Sequence, residues 1–500
     1  AKVEIEALNR TSLSRTDGTF RFPNLPEGEY ELKITYLGAQ TITQTVVVSS
    51  GENVLPTIEL LAQKSALDVV IVRGQRSGKA SAINQQRNAR NIVSVVSADS
   101  IGDFPDQNAA EALQRLPGIS SEMDQVEGRF VGIRGIDPNL NSVTNNGINI
   151  PSPEAGVRSV ALDIIPSELI QTLEVSKTIS ADMDADAVGG AINVKSISAF
   201  DRTQDTTIIS AGLSQNQLRD KLAPKASITL TRLIDDTFGV AAAVSYFKRD
   251  FGSDNIESNG DDEAEQRHYS ITRERLGTAI NLDYRPNFND EFFMRTLYSK
   301  FSDDEFRQAN IFKLDGDDSE IERESKDRKE TQTIFTLATG GEHQRGLWSL
   351  DYQLGYAKSD ETDPDGLYYV FVSENPSVEA NLETEIPQIS VNTMANDLAN
   401  YDLDELSFEK NLAEDTETSI QGNIAKSFEN KHGLTLVKSG FKYRQREKSA
   451  LANISIYGGD FDSVNGSKFA TGELDYNLGD FGPGLNRALL REDFTQQLPL

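Results

Sequence analysis

Residues 205–500 alternate apolar side chains with small or polar ones at the two-residue period of a β-strand. In WSLDYQLGYAK, Trp348 and Leu350 fall on one face, and Asp351 and Gln353 fall on the other. The segments LGTAINLDY and FGVAAAVSYF alternate in the same way. Because successive side chains of a strand point to opposite faces, each segment predicts a strand with one apolar face and one face of small or polar residues.

The connections between these predicted strands alternate in length. Short turns are predicted at IDDT, PNFND, EHQRG and ENKHG, and long polar loops at 250–268, 303–328 and 359–416. Short turns on one side and long loops on the other are typical of a transmembrane β-barrel. The alternative is a soluble β-sandwich, which buries one face of each sheet against a second sheet and does not require this asymmetry.

The number of strands bears on the extent of the chain. We count about nine predicted strands before Leu500. A barrel wide enough to enclose a domain of roughly a hundred residues needs about 22 strands. The chain begins inside a predicted strand and ends in FTQQLPL, which is interpreted as a loop, so we expect a fragment of a longer protein.

Residues 1–62 predict a small β-sandwich, and the chain opens inside a predicted strand of it. Phe20 and Phe22 alternate in one predicted strand, a Pro-Glu-Gly turn follows, and Tyr30 and Leu32 share one face of the next strand. The short strand-and-turn pattern is that of an independent small domain.

Residues 85–200 predict one compact α/β domain. Asn108 is a favourable helix N-cap, and Glu111 follows three residues later, as in a capping box. Asn146-Gly147 favours a tight hairpin turn, because both residues tolerate positive φ.

The order of these parts resembles that of TonB-dependent outer-membrane receptors, in which an α/β plug domain sits inside a β-barrel. The motifs AEALQRLPGI, VGIRGID and LEVSKTISADMDADAVGGAINV carry the resemblance, although Ser176-Lys177-Thr178 stands where many members have Lys-Gly-Pro. It implies structural roles within the plug for six residues: Pro117, Gly118, Arg134, Gly135, Gly189 and Gly190.

The resemblance completes the predicted fold, which is mainly β. It comprises a β-sandwich at 1–62 that resembles the carboxypeptidase regulatory-like domain, a TonB box and linker at 65–76, a plug domain at 85–200, and the first strands of an antiparallel transmembrane β-barrel at 205–500.

The segment LDVVIVRG, Leu67–Gly74, matches the position of the family's TonB box. Such a box pairs with the periplasmic protein TonB by adding a strand to it, and Val and Ile favour the extended backbone that this requires. The resemblance implies that TonB is bound by Asp68, Val69, Val70, Ile71 and Val72. The alternative is a last strand of the N-terminal sandwich. The polar run SGKASAINQQRNAR that follows is interpreted as a mobile linker.

Three acids of the longest motif, Asp182, Asp184 and Asp186, have the spacing that opens a calcium loop. Such a loop needs Gly at its sixth position and Glu at its twelfth. Those positions hold Ala187 and Asn193, so we predict a solvated turn of the plug and no metal site.

Composition excludes several classes of function. The formal net charge of −29 does not favour nucleic acid as a partner. Without Cys and with only 3 His, thiolate and all-histidine metal centres are not expected. No nucleotide-binding, zinc-hydrolase or serine-hydrolase motif is found, so we predict neither an enzyme nor a cofactor.

The family resemblance implies TonB-driven import of a scarce nutrient across the bacterial outer membrane, with the sandwich and box in the periplasm and the long loops outside. The loops are acidic and contain Tyr368, Tyr369 and Phe371, and no basic pocket is evident. We therefore expect an oligosaccharide or similar ligand, and contacts with outer-membrane lipid and lipopolysaccharide. The alternatives are a siderophore or other metal chelate, and a calcium-dependent β-rich surface adhesin.

Overall fold

The structure, a computed structural model, describes residues 1–15, 18–36, 39–60, 75–89, 91–97, 108–202, 204–235, 237–315, 319–374, 376, 378–430, 433–458 and 464–497. Within these ranges the chain forms a small N-terminal sheet, an α/β plug and a large antiparallel sheet. No helix among the described residues is long and apolar enough to cross a membrane.

The N-terminal sheet has four antiparallel strands in the order β2-β1-β3-β4. Its strands are β1 (Lys2–Ile5), β2 (Arg10–Leu13), β3 (Gly28–Thr35) and β4 (Ile42–Val48). The predicted strand through Phe20 and Phe22 is wrong, since neither residue lies in a strand. Their rings instead pack against the apolar cluster that contains Val3, Ile5 and Leu32. Covering that cluster removes apolar area from water without a further strand.

The plug begins with helix α1 (Gln75–Asn88), where the sequence predicted a mobile linker. Its sheet has the order β5-β10-β11-β8-β9, so β5 lies at an edge. The remaining elements are β5 (Val93–Ser97), α2 (Ala109–Leu113), β6 (Ile119–Asp124), β7 (Glu127–Ile133), β8 (Asn141–Asn145), β9 (Ile148–Asn149), β10 (Ile170–Ser176) and β11 (Gly190–Ser196).

Two local predictions for the plug are confirmed. The side chain of Asn108 accepts a hydrogen bond of 3.0 Å from the backbone N–H of Glu111, so Asn108 caps α2. Asn146 (φ 49°) and Gly147 (φ 83°) form the turn between β8 and β9. Both depend on neighbouring residues alone, which explains why sequence was sufficient.

The large sheet has nine antiparallel strands, as predicted, each paired with its neighbour in chain order. They are β12 (Thr206–Asn216), β13 (Lys221–Ile234), β14 (Phe238–Ser258), β15 (Glu263–Asn287), β16 (Asp290–Lys313), β17 (Glu320–Arg345), β18 (Trp348–Glu374), β21 (Asp402–Asn430) and β22 (Gly433–Gly458). A separate hairpin of β19 (Val378–Asn381) and β20 (Gln388–Val391) lies between β18 and β21.

The predicted faces of these strands are confirmed. Leu350 and Leu354 on β18 are 45% and 50% exposed, whereas Gln353 and Ala357 between and beyond them are buried on the face toward the plug. We call the plug-facing side the inner face and the end opposite the short turns the outer end.

The predicted long loops are wrong over most of their length. Residues 250–258 and 263–268 are strand, and so are most of 303–328 and 359–416. Strand β18 has 27 residues, well beyond the roughly 9–11 that a transmembrane strand needs. Backbone pairing does not require apolar side chains, so the polar outer parts stay paired although their composition suggested loops.

The end of the chain also differs from its prediction. After β22 come β23 (Ala470–Glu473), β24 (Pro483–Leu485) and helix α3 (Arg487–Gln497). FTQQ therefore belongs to a helix rather than a loop. We call residues 464–497 the cap segment, because it contacts the inner faces of β15–β18 near their outer ends.

Candidate functional site

The plug motifs that are distant in sequence come together in the structure. The backbone N–H of Arg134 donates to the carbonyl oxygen of Gly118 at 2.7 Å, and the Lys177 ammonium donates to the carbonyl oxygen of Pro117. Arg134 (φ 56°) and Gly135 (φ 74°) form one left-handed turn. The Pro-Gly and Arg-Gly motifs thus form one backbone junction of the plug.

The Gly-Gly motif lies where backbone segments approach closely. A Cβ atom on Gly190 would lie 2.7 Å from Ile133 Cδ1 and 2.8 Å from the carbonyl oxygen of Ser176. Gly190 also has φ 153°, which side chains rarely adopt. A larger residue would therefore separate β11 from β7 and β10.

The predicted TonB-binding residues, Asp68, Val69, Val70, Ile71 and Val72, lie outside the described residues. The next residues that the structure describes are those of α1, and the chain continues from α1 past Ile92 into β5. Within the described plug sheet, β5 pairs only with β10, through five residue pairs. An edge strand with one partner is the part of a sheet that separates with the fewest broken hydrogen bonds.

A buried ion cluster centred on Glu127 joins the plug to the large sheet. Its carboxylate accepts hydrogen bonds from Arg249 at 2.6 Å, from Arg273 at 3.1 Å and from Arg275. Arg273 also binds Asp124 at 2.7 Å. We call these five residues the Glu127 cluster. Burial alone would raise the pKa of Glu127, but the guanidinium groups of Arg275 and Arg273 outweigh it and lower that pKa.

The sequence analysis missed the Glu127 cluster. Glu127 and its arginine partners are separated by 122 to 148 residues, and each looks like an ordinary surface charge in the sequence. One signal was available. Arg273 and Arg275 continue, at two-residue spacing, the face of β15 that carries Gly277 and Asn281, which is the face opposite the apolar residues.

The three acids lie in a turn, as predicted, but the turn does not face solvent alone, because their carboxylates bind β22. Asp182 pairs with Lys438 at 3.1 Å, Asp184 with Lys442 at 2.8 Å, and Asp186 with Arg444 at 3.0 Å. We call these pairs the acid ladder. The acids repeat every two residues within a run of turns, and Lys438, Lys442 and Arg444 share one face of β22 because even spacings along a strand fall on the same side. This pairing does not favour the calcium-dependent alternative.

The aromatic residues predicted to meet a ligand are largely covered. Tyr369 and Phe371 are buried and pack against Phe469 of the cap segment. The Tyr369 hydroxyl donates to the carbonyl oxygen of Leu490 in α3 at 3.1 Å. Tyr368 is half-buried. In this structure these rings stabilise the cap segment.

Two family models match the sequence. The TonB-dependent receptor plug domain matches residues 85–191, and the CarboxypepD_reg-like domain matches residues 1–72. The second match extends over the predicted TonB-binding residues. Comparison with curated protein sequences gave no match.

Solved structures of similar architecture were found at low identity. A ferric citrate transporter aligns at 13% identity over 77% of this chain and 63% of that chain, with a TM-score of 0.31. A hemophore receptor from Serratia marcescens aligns at 12% identity over 75% of this chain and 62% of that chain, with a TM-score of 0.30. A siderophore receptor from Acinetobacter baumannii aligns at 12% identity over 79% and 67%, with a TM-score of 0.30. This chain spans less than two thirds of the first two proteins.

Proposed function

We propose that this chain, which carries the plug domain of TonB-dependent receptors, imports a scarce nutrient across the bacterial outer membrane with energy delivered by TonB. The Glu127 cluster carries the proposal. It joins the plug to three neighbouring positions of the large sheet through buried charges. Separating such charges is costly, so thermal motion alone does not open the passage. An external source of energy is needed to open it.

The coupling to TonB is proposed to run through residues 68–72, which lie seven residues or fewer before α1. TonB pairs with this segment by strand addition, and its pull passes through α1 to the edge strand β5. Because β5 has a single partner strand in the described part of the plug sheet, the force acts on the part of that sheet that separates first. The competing interpretation, a last strand of the N-terminal domain, is consistent with the family match over residues 1–72.

The proposed ligand is an oligosaccharide or similar compound, with a siderophore or other metal chelate as the alternative. In this arrangement the N-terminal domain and residues 68–72 are periplasmic. The outer ends of the strands contact lipopolysaccharide, and the cap segment faces the exterior. The acidic outer hairpins support hydration of that surface.

The first experiment measures binding of the C-terminal domain of TonB to the full receptor by calorimetry. Val70→Pro removes a backbone donor within the proposed strand and should abolish binding, because proline cannot complete the hydrogen-bond ladder. Gln63→Pro, outside the segment, is the matched control and should bind as the native receptor does. Uptake of a labelled ligand by cells should fall in parallel with binding.

The competing interpretation makes the opposite prediction. If residues 68–72 are a strand of the N-terminal domain, Val70→Pro lowers the melting temperature of that domain and leaves TonB affinity unchanged. That result would overturn the proposed coupling.

A further inference from the structure

Arg323 is a buried guanidinium that forms no salt bridge among the residues the structure describes, and the carboxylates of Asp480 and Glu473 act on it only from beyond salt-bridge distance. It lies on the inner face of β17, three residues from the outer end of that strand, and is 4% exposed. Its Nη1 atom donates to the carbonyl oxygen of Phe481 at 2.7 Å, and the rings of Tyr401 and Phe481 lie 5.5 and 5.7 Å from its guanidinium carbon. A neutral carbonyl does not compensate a full positive charge.

Other buried arginines of the large sheet are paired differently. Arg273 and Arg275 are equally buried, but both bind the carboxylate of Glu127. Arg323 therefore departs from the way in which this protein otherwise stabilises buried charge. A buried cation without an anion destabilises the fold, so its presence calls for a role outside folding.

Two amide side chains continue the polar row across neighbouring strands. Asn310 is the cross-strand partner of both Gln266 on β15 and Arg323 on β17. The Asn310 Nδ2 atom donates to Gln266 at 3.1 Å and to the carbonyl oxygen of Phe481 at 3.0 Å. Arg323 Nε and Asn310 Oδ1 are buried and have no hydrogen-bond partner within the described part of the chain. We call Gln266, Asn310 and Arg323 the Arg323 row.

The row is covered by the chain's own cap segment. The Phe481 carbonyl is held between Asn310 and Arg323, and the backbone passes so closely that a Cβ atom on Gly482 would lie 3.0 Å from Arg323 Nη2. Gly482 also has φ 75°. The cap segment thus offers one neutral oxygen, the Phe481 carbonyl, to both Asn310 and Arg323. The Nε–H group of Arg323 is left without an acceptor among the described residues.

We propose that the Arg323 row is a binding site for a ligand that carries a carboxylate, and that the Phe481 carbonyl occupies it in the absence of ligand. This inference rests on the proposed import function. A carboxylate matches the planar fork of a guanidinium with two parallel hydrogen bonds and supplies the missing negative charge. Asn310 provides a further donor beside it. The row is the basic pocket that the sequence analysis did not locate.

Access to the row requires the cap segment to move outward. It is attached by polar contacts, among them Arg491 to Asp327 at 2.7 Å and Tyr476 to the carbonyl oxygen of Asn255 at 2.6 Å, and by the apolar cluster around Phe469, which must also separate. The incoming carboxylate replaces the Phe481 carbonyl with a stronger, charge-assisted partner. Two sources supply this chemistry, the uronate units of an acidic oligosaccharide and the carboxylates of a metal chelate.

The test measures the affinity of three probes for the full receptor by calorimetry. The probes are trigalacturonate, its fully methyl-esterified form, and ferric citrate. We expect one of the two carboxylate probes to bind, which identifies the source, and the ester to bind more weakly than trigalacturonate if the source is the glycan. Arg323→Met should weaken the carboxylate probe by about 10- to 100-fold, the range for a hydrogen bond to a charged group. Arg323→Lys keeps the positive charge but loses the planar fork of donors, so its affinity for the carboxylate probe should lie between those of the native receptor and Arg323→Met.

The matched control is Arg307→Met, which removes an arginine paired with Glu324 outside the row and should leave affinity unchanged. A purely structural arginine would give a lower melting temperature on replacement. We expect Arg323→Met to melt no lower than the native receptor, because it removes an unbalanced buried charge.

The inference is overturned if Arg323→Met binds the carboxylate probe as tightly as the native receptor, or if the native receptor binds neither carboxylate probe. In either case, the import function would still be supported if Val70→Pro abolished TonB binding. Loss of the import function would instead show as unchanged TonB binding in Val70→Pro.

Discussion

Replacing Glu127 by Gln should loosen the plug without unfolding the large sheet. The substitution keeps the size of the side chain but removes the charge that binds Arg249, Arg273 and Arg275. Arg273 retains Asp124 and Asp303 as partners, whereas no other carboxylate among the described residues pairs with Arg249 or Arg275. The variant therefore leaves buried positive charge without compensation.

The magnitude follows from this loss of charge. Removing one partner of a buried ion pair costs about 3–5 kcal/mol. We take the lower end, about 3 kcal/mol, because Arg273 keeps its other partners. Since about 1.4 kcal/mol corresponds to a tenfold change, the population in which the β6–β7 hairpin separates from the sheet should rise about 100-fold.

Hydrogen exchange of the full receptor, followed by mass spectrometry, measures this change. Amides of residues 119–133 should exchange about 100-fold faster in Glu127→Gln, while those of β15 and β16 keep their protection. Glu122→Gln, an exposed position on the same hairpin, is the control and should match the native receptor. Unchanged exchange in Glu127→Gln would show that desolvation cancels the attraction, and would refute the cluster as the contact that holds the plug.

The pH dependence of this effect has a definite sign. The pKa of Glu127 in the folded protein is lowered from an ordinary value of 4.5, because Arg275 and Arg273 outweigh the effect of burial. Its stabilisation is therefore fully present above the unfolded value and is lost only as pH falls through the folded value. The difference in exchange between native and variant receptors should be constant from about pH 8 to pH 5.

The remaining predictions concern the acid ladder and the Gly-Gly motif. Asp184→Lys and Lys442→Asp should each weaken the plug's attachment, and the double variant should restore it, with a coupling energy of about 0.2–1 kcal/mol that decreases at high salt. A double-mutant cycle of denaturation midpoints measures this, and a coupling of zero would remove the ladder as a stabilising contact. Gly190→Ala should destabilise the plug by about 1–3 kcal/mol, because the methyl group meets Ile133. Gly156→Ala, which meets no atom within 4 Å, is the control in the same thermal melts, and equal melting of the two variants would contradict the close-approach argument.

The local features of the fold were predictable because they depend on residues a few positions apart. The alternation around Trp348–Ala357 separated the apolar face of β18 from its small and polar face, and Asn108 marked the start of α2. The same local reasoning failed for the outer strands, where polar composition suggested loops. Strand pairing there is decided by the neighbouring strand, whose position a single segment does not encode.

The candidate sites show the same division. The sequence identified the acids at Asp182, Asp184 and Asp186 but assigned them to solvent, since their partners on β22 lie 256 to 258 residues away. The charges of Glu127 and Arg323 were unremarkable in sequence. Their burial became evident only in the folded chain, as did the arginines that pair with Glu127 and the lack of a salt bridge at Arg323 among the described residues.

The sequence by itself determined the number of strands in the large sheet, their alternating apolar and polar faces, and local caps and turns, because hydrophobic period and turn chemistry are local. Only the tertiary structure decided which charges meet. The Coulomb energy of two groups depends on their distance and on the water between them, and both are set by how distant segments pack. Acids and arginines of the same kind therefore form a buried ion cluster at Glu127, whereas Arg323 forms no salt bridge among the described residues.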